Sequence, residues 1–126
     1  MPIDLQLDRT KDLATLTLVG EVTLAEMVDA LNAYAKSGVT LNELYDVRQL
    51  AGERISAADI DAIVTYFKRY GSVRPANSRT AVLVADTLDF GISRMIQILT
   101  DGAVPFKIGV FRSVEEALAW LESKPS

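Results

Sequence analysis

Few side chains in this sequence could carry out chemistry. The 126 residues include no Cys and no His, so the chain has no thiolate nucleophile, no imidazole base and no zinc ligands beyond carboxylates. Acid–base or nucleophilic chemistry would fall to carboxylates, Lys, Tyr, Ser and Thr, and no pair of these stands at a diagnostic spacing. The sequence also lacks a glycine-rich phosphate loop. We therefore expect a protein that is not an enzyme and that needs no metal or other cofactor.

Polar residues follow two apolar segments of the chain. Asp46 comes near the end of one segment, and Asp86 and Thr87 come directly after another. Because open α/β sheets build ligand sites at the carboxyl ends of their parallel strands, these three residues are candidate ligand or partner contacts. A receiver-type phosphoacceptor at Asp46, with Thr87 as the switching hydroxyl, would also need an acidic pair after the first strand, where Gly20 and Glu21 supply one acid. Capping and solvation are the alternative roles.

Ser56 precedes a predicted helix and stands three residues before Asp59. Free amide groups and the helix dipole would favour a phosphate on its hydroxyl. The nearby carboxylates of Asp59 and Asp61 would oppose that phosphate. Two roles therefore stay open for Ser56, a phosphorylation site and a plain helix N-cap.

A run without acids between Asp61 and Asp86 holds a basic cluster. Its members are Lys68, Arg69, Arg74 and Arg79. Such a cluster could bind an acidic partner or an anionic head group, and the alternative is a solvated helix end and loop. Four charges on a chain whose net charge is -4 argue against a nucleic-acid partner.

Hydrophobic periodicity predicts the elements that position these residues. Ile3–Leu7 and Leu13–Val19 alternate apolar and polar residues on the two sides of a polar turn, which is typical of a β-hairpin. Further strands are predicted over Glu43–Val47, Thr80–Ala85 and Phe106–Phe111.

Four helices are predicted from apolar residues spaced at i, i+3, i+4 and i+7. Their stripes are Leu24, Met27, Val28, Leu31 and Ala35; Ile60, Ile63, Val64 and Phe67; Leu88, Ile92, Met95, Ile96 and Leu99; and Val114, Ala117, Leu118 and Leu121. Strand and helix alternate after the hairpin, so the later strands need crossover connections and should be parallel. The order ββαβαβαβα predicts a single α/β domain over residues 1–126, with a mixed, mostly parallel five-stranded sheet flanked by four helices.

Two stretches of the C-terminal half carry recognisable motifs. They read TAVLVADTLDFGISRMIQIL and FKIGVFRSVEEALAWL, and their telling residues are Phe90, Gly91, Arg94, Met95, Val110, Phe111, Arg112, Glu116, Ala117, Trp120 and Leu121. Together they resemble the SpoIIAA-like family, a relative of the STAS (sulfate transporter and anti-sigma factor antagonist) domains. The resemblance implies a five-stranded mixed sheet with flanking helices, used in regulatory and interaction modules rather than in established catalysts.

The resemblance also implies a candidate switch. In anti-sigma factor antagonists a strand that ends in an Asp-containing turn leads to a serine motif at the next helix, and a kinase partner phosphorylates one serine. Here LYDV places Asp46 at the comparable turn, and ISAADI places Ser56 near the phosphoacceptor position. Glu53, Arg54 and Ile55 replace the family's acidic-serine approach, and no Ser-Gly pair follows.

Two classes of function remain open. The first is a noncatalytic regulatory or protein-interaction module that binds an unidentified protein partner. The second is a carrier or sensor of a small apolar or anionic ligand held between the sheet and a helix. Phe90, Gly91, Arg94 and Trp120 are candidate contacts for either, although Gly91 is also explained by close helix packing and Trp120 by the border of an apolar stripe.

The longest run without a charged residue is eight positions, from Leu13 to Gly20. A membrane-spanning helix needs about 20, and an export signal needs a basic start. We therefore expect a cytoplasmic protein that does not insert into membranes. An edge strand or an apolar helix face could support a homodimer, and the sequence does not choose between them.

Overall fold

A computed structural model of the chain describes residues 3–51, 57–70, 74–75, 77–85, 97 and 106–123. Its elements are β1 (Ile3–Asp8), β2 (Leu13–Glu21), α1 (Leu24–Ser37), β3 (Asn42–Ala51), α2 (Ala57–Tyr70), β4 (Arg79–Leu83), β5 (Lys107–Phe111) and α3 (Val114–Glu122). The predicted helix with the stripe Leu88–Leu99 lies outside the described residues except for Gln97, which is helical. The side-chain amide of Gln97 donates a hydrogen bond to the carbonyl oxygen of Ile108 in β5.

The five strands form one sheet in the order β1-β2-β3-β4-β5. β1 and β2 are an antiparallel hairpin, and β2, β3, β4 and β5 are parallel neighbours. The predicted mixed, mostly parallel α/β sheet is therefore confirmed. Among the described residues, no helix is long and apolar enough to cross a membrane.

The limits of the parallel strands differ from the predicted ones. β3 continues past Val47 to Ala51 because its last residues keep pairing with the end of β2. That extension carries Arg48 and Gln49, so it lacks the apolar pattern from which a strand is read. β4 ends at Leu83, two residues before the predicted Ala85.

Each face of the sheet is covered by different helices. On the α1–α2 face, residues of β2, β3 and β5 pack against α1 and α2; the buried set is Ala14, Leu16, Leu18, Leu31, Tyr34, Tyr45, Phe67, Phe106 and Ile108. On the α3 face, the cluster is smaller and consists of Leu44, Ala81, Leu83, Ala117 and Leu121. The ring of Phe67 lies 6.4 Å from that of Tyr45 and 6.2 Å from that of Phe106.

The ends of α1 follow the signals in the sequence. Thr23 and Glu26 form a capping box, in which each side chain accepts a hydrogen bond from the other residue's backbone N–H at 3.1 Å. Gly38 ends the helix at a φ of 96°, where a side chain would be strained. The guanidinium of Arg9, in the hairpin turn, donates to the carbonyl oxygens of Ser37 and Gly38. The hairpin is thereby tied to the carboxyl end of α1.

Candidate functional site

Asp46 lies where the parallel strands end. It pairs with Leu83, the last residue of β4, and Leu83 pairs with Phe111, the last residue of β5. This carboxyl edge of the sheet is the usual location of ligand sites in α/β folds. Of the three candidate contacts predicted there, the structure describes Asp46, whereas Asp86 and Thr87 lie outside the described residues.

Arg48 binds the Asp46 carboxylate beside a β-bulge. Thr17 pairs with Asp46 and Val19 pairs with Gln49, so two residues of β3 face one residue of β2. The Arg48 guanidinium then donates to both carboxylate oxygens, from Nε to Oδ1 at 3.0 Å and from Nη2 to Oδ2 at 2.8 Å. The Arg48 backbone N–H adds a third bond to Oδ1 at 3.1 Å. These hydrogen bonds from Arg48 outweigh burial and hold the pKa of Asp46 below its usual value.

Charged residues of the first turn of α3 extend this group. The pKa of Glu115 is lowered because its own backbone N–H and the Ser113 hydroxyl bond its carboxylate, and the charge of Arg48 adds a smaller attraction. The Ser113 hydroxyl donates to Glu115 Oε2 at 2.9 Å and accepts from the Glu116 N–H at 3.3 Å. Ser113 therefore caps α3. We call Asp46, Arg48, Ser113 and Glu115 the charged edge.

Two strands project past their neighbours beside the charged edge. β2 and β3 pair as far as Glu21 and Ala51, whereas β1 is described from Ile3, opposite Leu18, and β4 stops opposite Asp46. This β2–β3 ribbon, residues 19–21 and 49–51, carries Val19 at 45% exposure and Leu50 at 37%. Val19 lies on the face of the sheet that carries Asp46, whereas Leu50, one register position further along, lies on the opposite face. Apolar side chains on a projecting ribbon, next to a charged edge, resemble the surfaces that proteins use to bind one another.

Trp120 is held within the fold. Its ring centroid lies 5.4 Å from that of Phe111, and the Arg79 guanidinium lies over it at 5.4 Å. A Cβ added to Gly109 would come within 3.1 Å of Trp120 Cζ3, so the ring sits close against the backbone of β5. The other predicted contacts near it, Phe90, Gly91 and Arg94, lie outside the described residues, as does the candidate phosphoacceptor Ser56.

The four predicted basic residues do not form one surface. Lys68 and Arg69 are exposed in the last turn of α2, whereas Arg74 and Arg79 are buried. Arg79 Nη1 donates to the carbonyl oxygens of Trp120 and Ser123 and to the Ser123 hydroxyl. Arg79 therefore stabilises the carboxyl end of α3, where backbone carbonyls lack helical partners. The four cations therefore do not form one docking surface, because Arg74 and Arg79 are buried and bound to other groups of the fold.

Arg74 forms a buried ion pair that the sequence analysis missed. Arg74 Nε lies 3.4 Å from Glu43 Oε2, and both side chains are 0% exposed. The Arg74 guanidinium also donates to the Thr80 hydroxyl and to the carbonyl oxygens of Leu41 and Arg79, and it lies 4.5 Å from the centroid of the Phe106 ring. Glu43 could have indicated this pair from the sequence, because it is two residues from Tyr45 in a predicted strand and so lies on the same face.

Tyrosines complete this polar core of Glu43, Arg74, Tyr34, Thr40, Tyr45 and Thr80. The Tyr45 hydroxyl donates to Glu43 Oε1 at 2.7 Å. The Tyr34 hydroxyl accepts from the Thr40 N–H at 2.7 Å and lies 2.6 Å from the Thr40 hydroxyl. Burial, and then the charge of Glu43, raises the pKa of Tyr34. The polar core thus consists of two bonded groups. One joins Tyr34 of α1 to Thr40, and the other joins Tyr45 and Glu43 of β3 to Arg74 and to Thr80 of β4.

No three acidic side chains come together as metal ligands in the part of the chain that the structure describes. At the charged edge, the carboxylate of Asp46 is occupied by Arg48. The arrangement can present fixed charges and hydrogen-bonding groups to a partner. It offers no described base with a raised pKa near a nucleophile, which acid–base catalysis would use.

The hairpin, the parallel strands and the flanking helices define an α/β domain with a mixed, mostly parallel sheet. The SpoIIAA-like family model matches residues 13–122, so the chain belongs to the SpoIIAA-like family. No curated protein matches the chain.

Solved structures support the same fold. An uncharacterized protein with a SpoIIAA-like fold from Shewanella loihica PV-4 is 19% identical, with a TM-score of 0.60, over 94% of this chain and 91% of that chain. An anti-sigma factor antagonist from Mycobacterium paratuberculosis is 11% identical, with a TM-score of 0.61, over 96% of this chain and 93% of that one. The resemblance drawn from the C-terminal motifs is therefore confirmed at the level of family and fold.

Proposed function

We propose that this protein is a noncatalytic regulatory module that binds a protein partner through the carboxyl edge of its parallel strands. The family supports this role, and a protein of similar fold is an anti-sigma factor antagonist. The observation that carries the proposal is the β2–β3 ribbon, whose exposed Val19 lies on the same face of the sheet as Asp46 of the charged edge.

The chemistry of this surface suits binding better than catalysis. Arg48 is 41% exposed on its side chain and holds its position through two bonds to Asp46. A charge that is already oriented loses little conformational freedom on binding. Exposed apolar side chains with charged neighbours reproduce the apolar centre and polar rim of protein interfaces.

A pair of matched substitutions tests this surface. Val19 on the ribbon is 45% exposed, and Ala33 is an exposed apolar residue on α1, away from the ribbon. We expect Val19→Glu to weaken partner binding at least tenfold, because it places a charge in the apolar centre of the contact. Ala33→Glu should bind as the wild type does.

The measurement is affinity purification of the tagged full-length chain from its source organism, followed by native mass spectrometry and titration of the recovered partner. Equal binding by both variants would remove the ribbon from the interface. A retained small molecule in place of a protein would favour the carrier or sensor function instead.

Regulation of the same surface is proposed to act through Ser56. Its sequence position lies between β3, which contributes half of the ribbon, and α2, which begins at Ala57. Phosphopeptide mass spectrometry across growth conditions tests the idea. We expect a phosphate at Ser56 that is absent from Ser56→Ala, and weaker partner binding by the modified protein. A Ser56 that is unmodified under all conditions would contradict this proposal.

A further inference from the structure

β1 is an edge strand that has no bulge, lysine or proline. It lies at one end of the sheet order and pairs with β2 on its inner side. Its register with β2 runs without a bulge from Ile3 to Asp8, and the strand contains no Lys and no Pro. Natural edge strands commonly use these features to prevent pairing with another chain. β1 can therefore offer its outer backbone groups to a further strand.

The opposite edge of the sheet is different. β5 begins with Lys107, and its Ile108 and Gly109 are buried. The rings of Phe111 and Trp120 lie against this strand. In β1, by contrast, all residues except Ile3 and Leu5 are exposed. β1 is therefore the more accessible of the two edges.

β1 is also acidic on one face. Asp4, Gln6 and Asp8 alternate with the apolar residues of the strand, and both aspartates are exposed. The pKa of Asp8 is lowered by hydrogen bonds from the Thr10 hydroxyl and the Lys11 N–H, with a smaller attraction from the Lys11 charge. The guanidinium of Arg9 is occupied by the carbonyl oxygens at the end of α1.

We propose that β1 accepts, as a sixth strand, an extended segment of another protein in which lysine or arginine alternates with apolar residues. Strand addition supplies the backbone hydrogen bonds, and alternate side chains supply the selectivity. Basic residues would lie opposite Asp4 and Asp8, and apolar residues would cover Leu5 and the exposed Leu7. This surface is separate from the β2–β3 ribbon, so it does not depend on the function proposed above.

A second copy of this chain fits the edge less well. In an antiparallel pair centred on Gln6, Asp4 of each copy would lie opposite Asp8 of the other. A pair centred on Leu5 would place Asp4 opposite Gln6 but diagonal to the other copy's aspartates. Like charges at these cross-strand positions destabilise a sheet, and each copy carries a net charge of -4. Charge complementarity therefore favours a basic strand.

Two eight-residue peptides probe the edge, one alternating lysine with valine and the other alternating glutamate with valine. Each is titrated into the ¹⁵N-labelled full-length chain and followed by amide chemical shifts. With the lysine peptide we expect the amide shifts of residues 3–8 to change and to saturate. Raising the salt concentration from 50 to 300 mM should lower the affinity at least threefold, which is of the order expected for a few screened charges. The glutamate peptide should cause no such shifts.

Charge reversal provides the decisive comparison. Asp4→Lys should reduce affinity for the lysine peptide at least fivefold and create measurable affinity for the glutamate peptide. Asp29→Lys makes the same change of charge at an exposed position on α1 and should leave both affinities near the wild-type values. Val19→Glu should also bind the lysine peptide normally, which separates this proposal from the one for the ribbon.

Three results would overturn the proposal. One is equal weakening by Asp4→Lys and Asp29→Lys, which would indicate a general charge effect. Another is a set of shifts centred on β5 or on the ribbon. The third is a dimer of the free chain in sedimentation equilibrium that contains β1 in its interface, which would assign the edge to a second copy.

Discussion

Arg74 and Glu43 show how one residue pair can hold several elements. Their side chains are fully buried and lie 3.4 Å apart at the closest. Breaking a buried ion pair costs much more than the pair itself contributes, because the remaining charge stays out of water. The polar core is therefore a place where single substitutions should have large effects.

We expect Arg74→Met to lower the free energy of unfolding by about 3–5 kcal/mol, because it removes the cation that lies 3.4 Å from the buried Glu43 carboxylate. Urea denaturation followed by circular dichroism measures the loss. In the double variant Glu43→Gln with Arg74→Met the carboxylate is absent, and Gln can still accept the Tyr45 hydrogen bond. The double variant should be more stable than Arg74→Met alone. Strictly additive losses would show that the two side chains are not coupled.

The lowered pKa of Asp46 predicts that the stability of the fold depends on pH. Its pKa is lowered in the folded protein from the ordinary value of 3.8, chiefly by the hydrogen bonds from the Arg48 side chain. The unfolded chain therefore binds the proton more tightly. This stabilisation is complete above the unfolded pKa and is lost as the pH falls through the folded pKa. The stability difference between wild type and Asp46→Asn should be largest near neutral pH and should shrink below about pH 4.

Urea denaturation of both proteins between pH 7 and pH 2.5 tests this dependence. Arg48→Met should show the same convergence with the wild type, because it removes the partner rather than the carboxylate. A stability difference that stays constant over the whole range would mean that Asp46 titrates alike in the folded and unfolded chains.

Residue roles could be predicted where the partner is close in sequence. Thr23 and Glu26 stand three positions apart, which is the spacing typical of a capping box, and the structure contains that box. Arg74 and Arg79 were predicted to belong to a basic cluster, because their partners come from distant segments of the chain. Arg74 pairs with Glu43, and Arg79 binds the end of α3. Local sequence therefore predicted the helix cap but not the burial of these two cations.

At the scale of elements, α3 depends on a close fit with β5. Gly109 has no side chain, and a Cβ there would lie 2.7 Å from Phe111 Cε2 and 3.1 Å from Trp120 Cζ3. The two rings also touch each other, so neither can move away freely. Arg79 and Asn42, the first residues of β4 and β3, both bond carbonyl oxygens at the far end of this helix.

Gly109→Ala should therefore lower the free energy of unfolding by about 1–3 kcal/mol, the usual range for overpacking. The readout is thermal or urea unfolding, with Trp120 fluorescence reporting on α3. Adding Phe111→Leu removes the nearest ring atoms and should recover part of the loss caused by Gly109→Ala. If Gly109→Ala is as stable as the wild type, the rings are not held as tightly as the contacts indicate.

The type and order of elements were more predictable than their limits. Alternation and helical spacing gave the hairpin, the parallel strands and three described helices, because each has an apolar face that the core requires. The extension of β3 was missed because its pairing with β2 after the bulge is supported by backbone hydrogen bonds rather than by an apolar pattern. Projecting ribbons have less core to contact, so their sequence carries a weaker signal.

At the scale of the whole molecule, two clusters of apolar residues lie on opposite faces of one sheet. Both include residues of β3, Tyr45 on one face and Leu44 on the other. Both clusters therefore depend on β3, and unfolding of this strand would disrupt the two clusters together. The cooperativity of unfolding tests the prediction of a single domain over residues 1–126.

We expect one cooperative unfolding transition. The chain has a single tryptophan, Trp120, which reports on the α3 face, whereas far-ultraviolet circular dichroism reports on all helices and strands. The two signals should give coincident urea transitions, as two-state unfolding requires. A fluorescence midpoint clearly below the circular dichroism midpoint would show that α3 unfolds on its own.

The buried ion pair has a consequence for how the chain avoids misfolding. A parallel strand that slips by two positions keeps each side chain on its original face, so apolar patterning alone would barely oppose a shifted β4. Such a slip would carry Thr80 and the backbone of Arg79, both bonded to Arg74, away from Glu43. Separating the buried Glu43 carboxylate from the Arg74 guanidinium would then destabilise the shifted register. The ion pair that stabilises the correct register would thus also disfavour the alternative that lies two residues away.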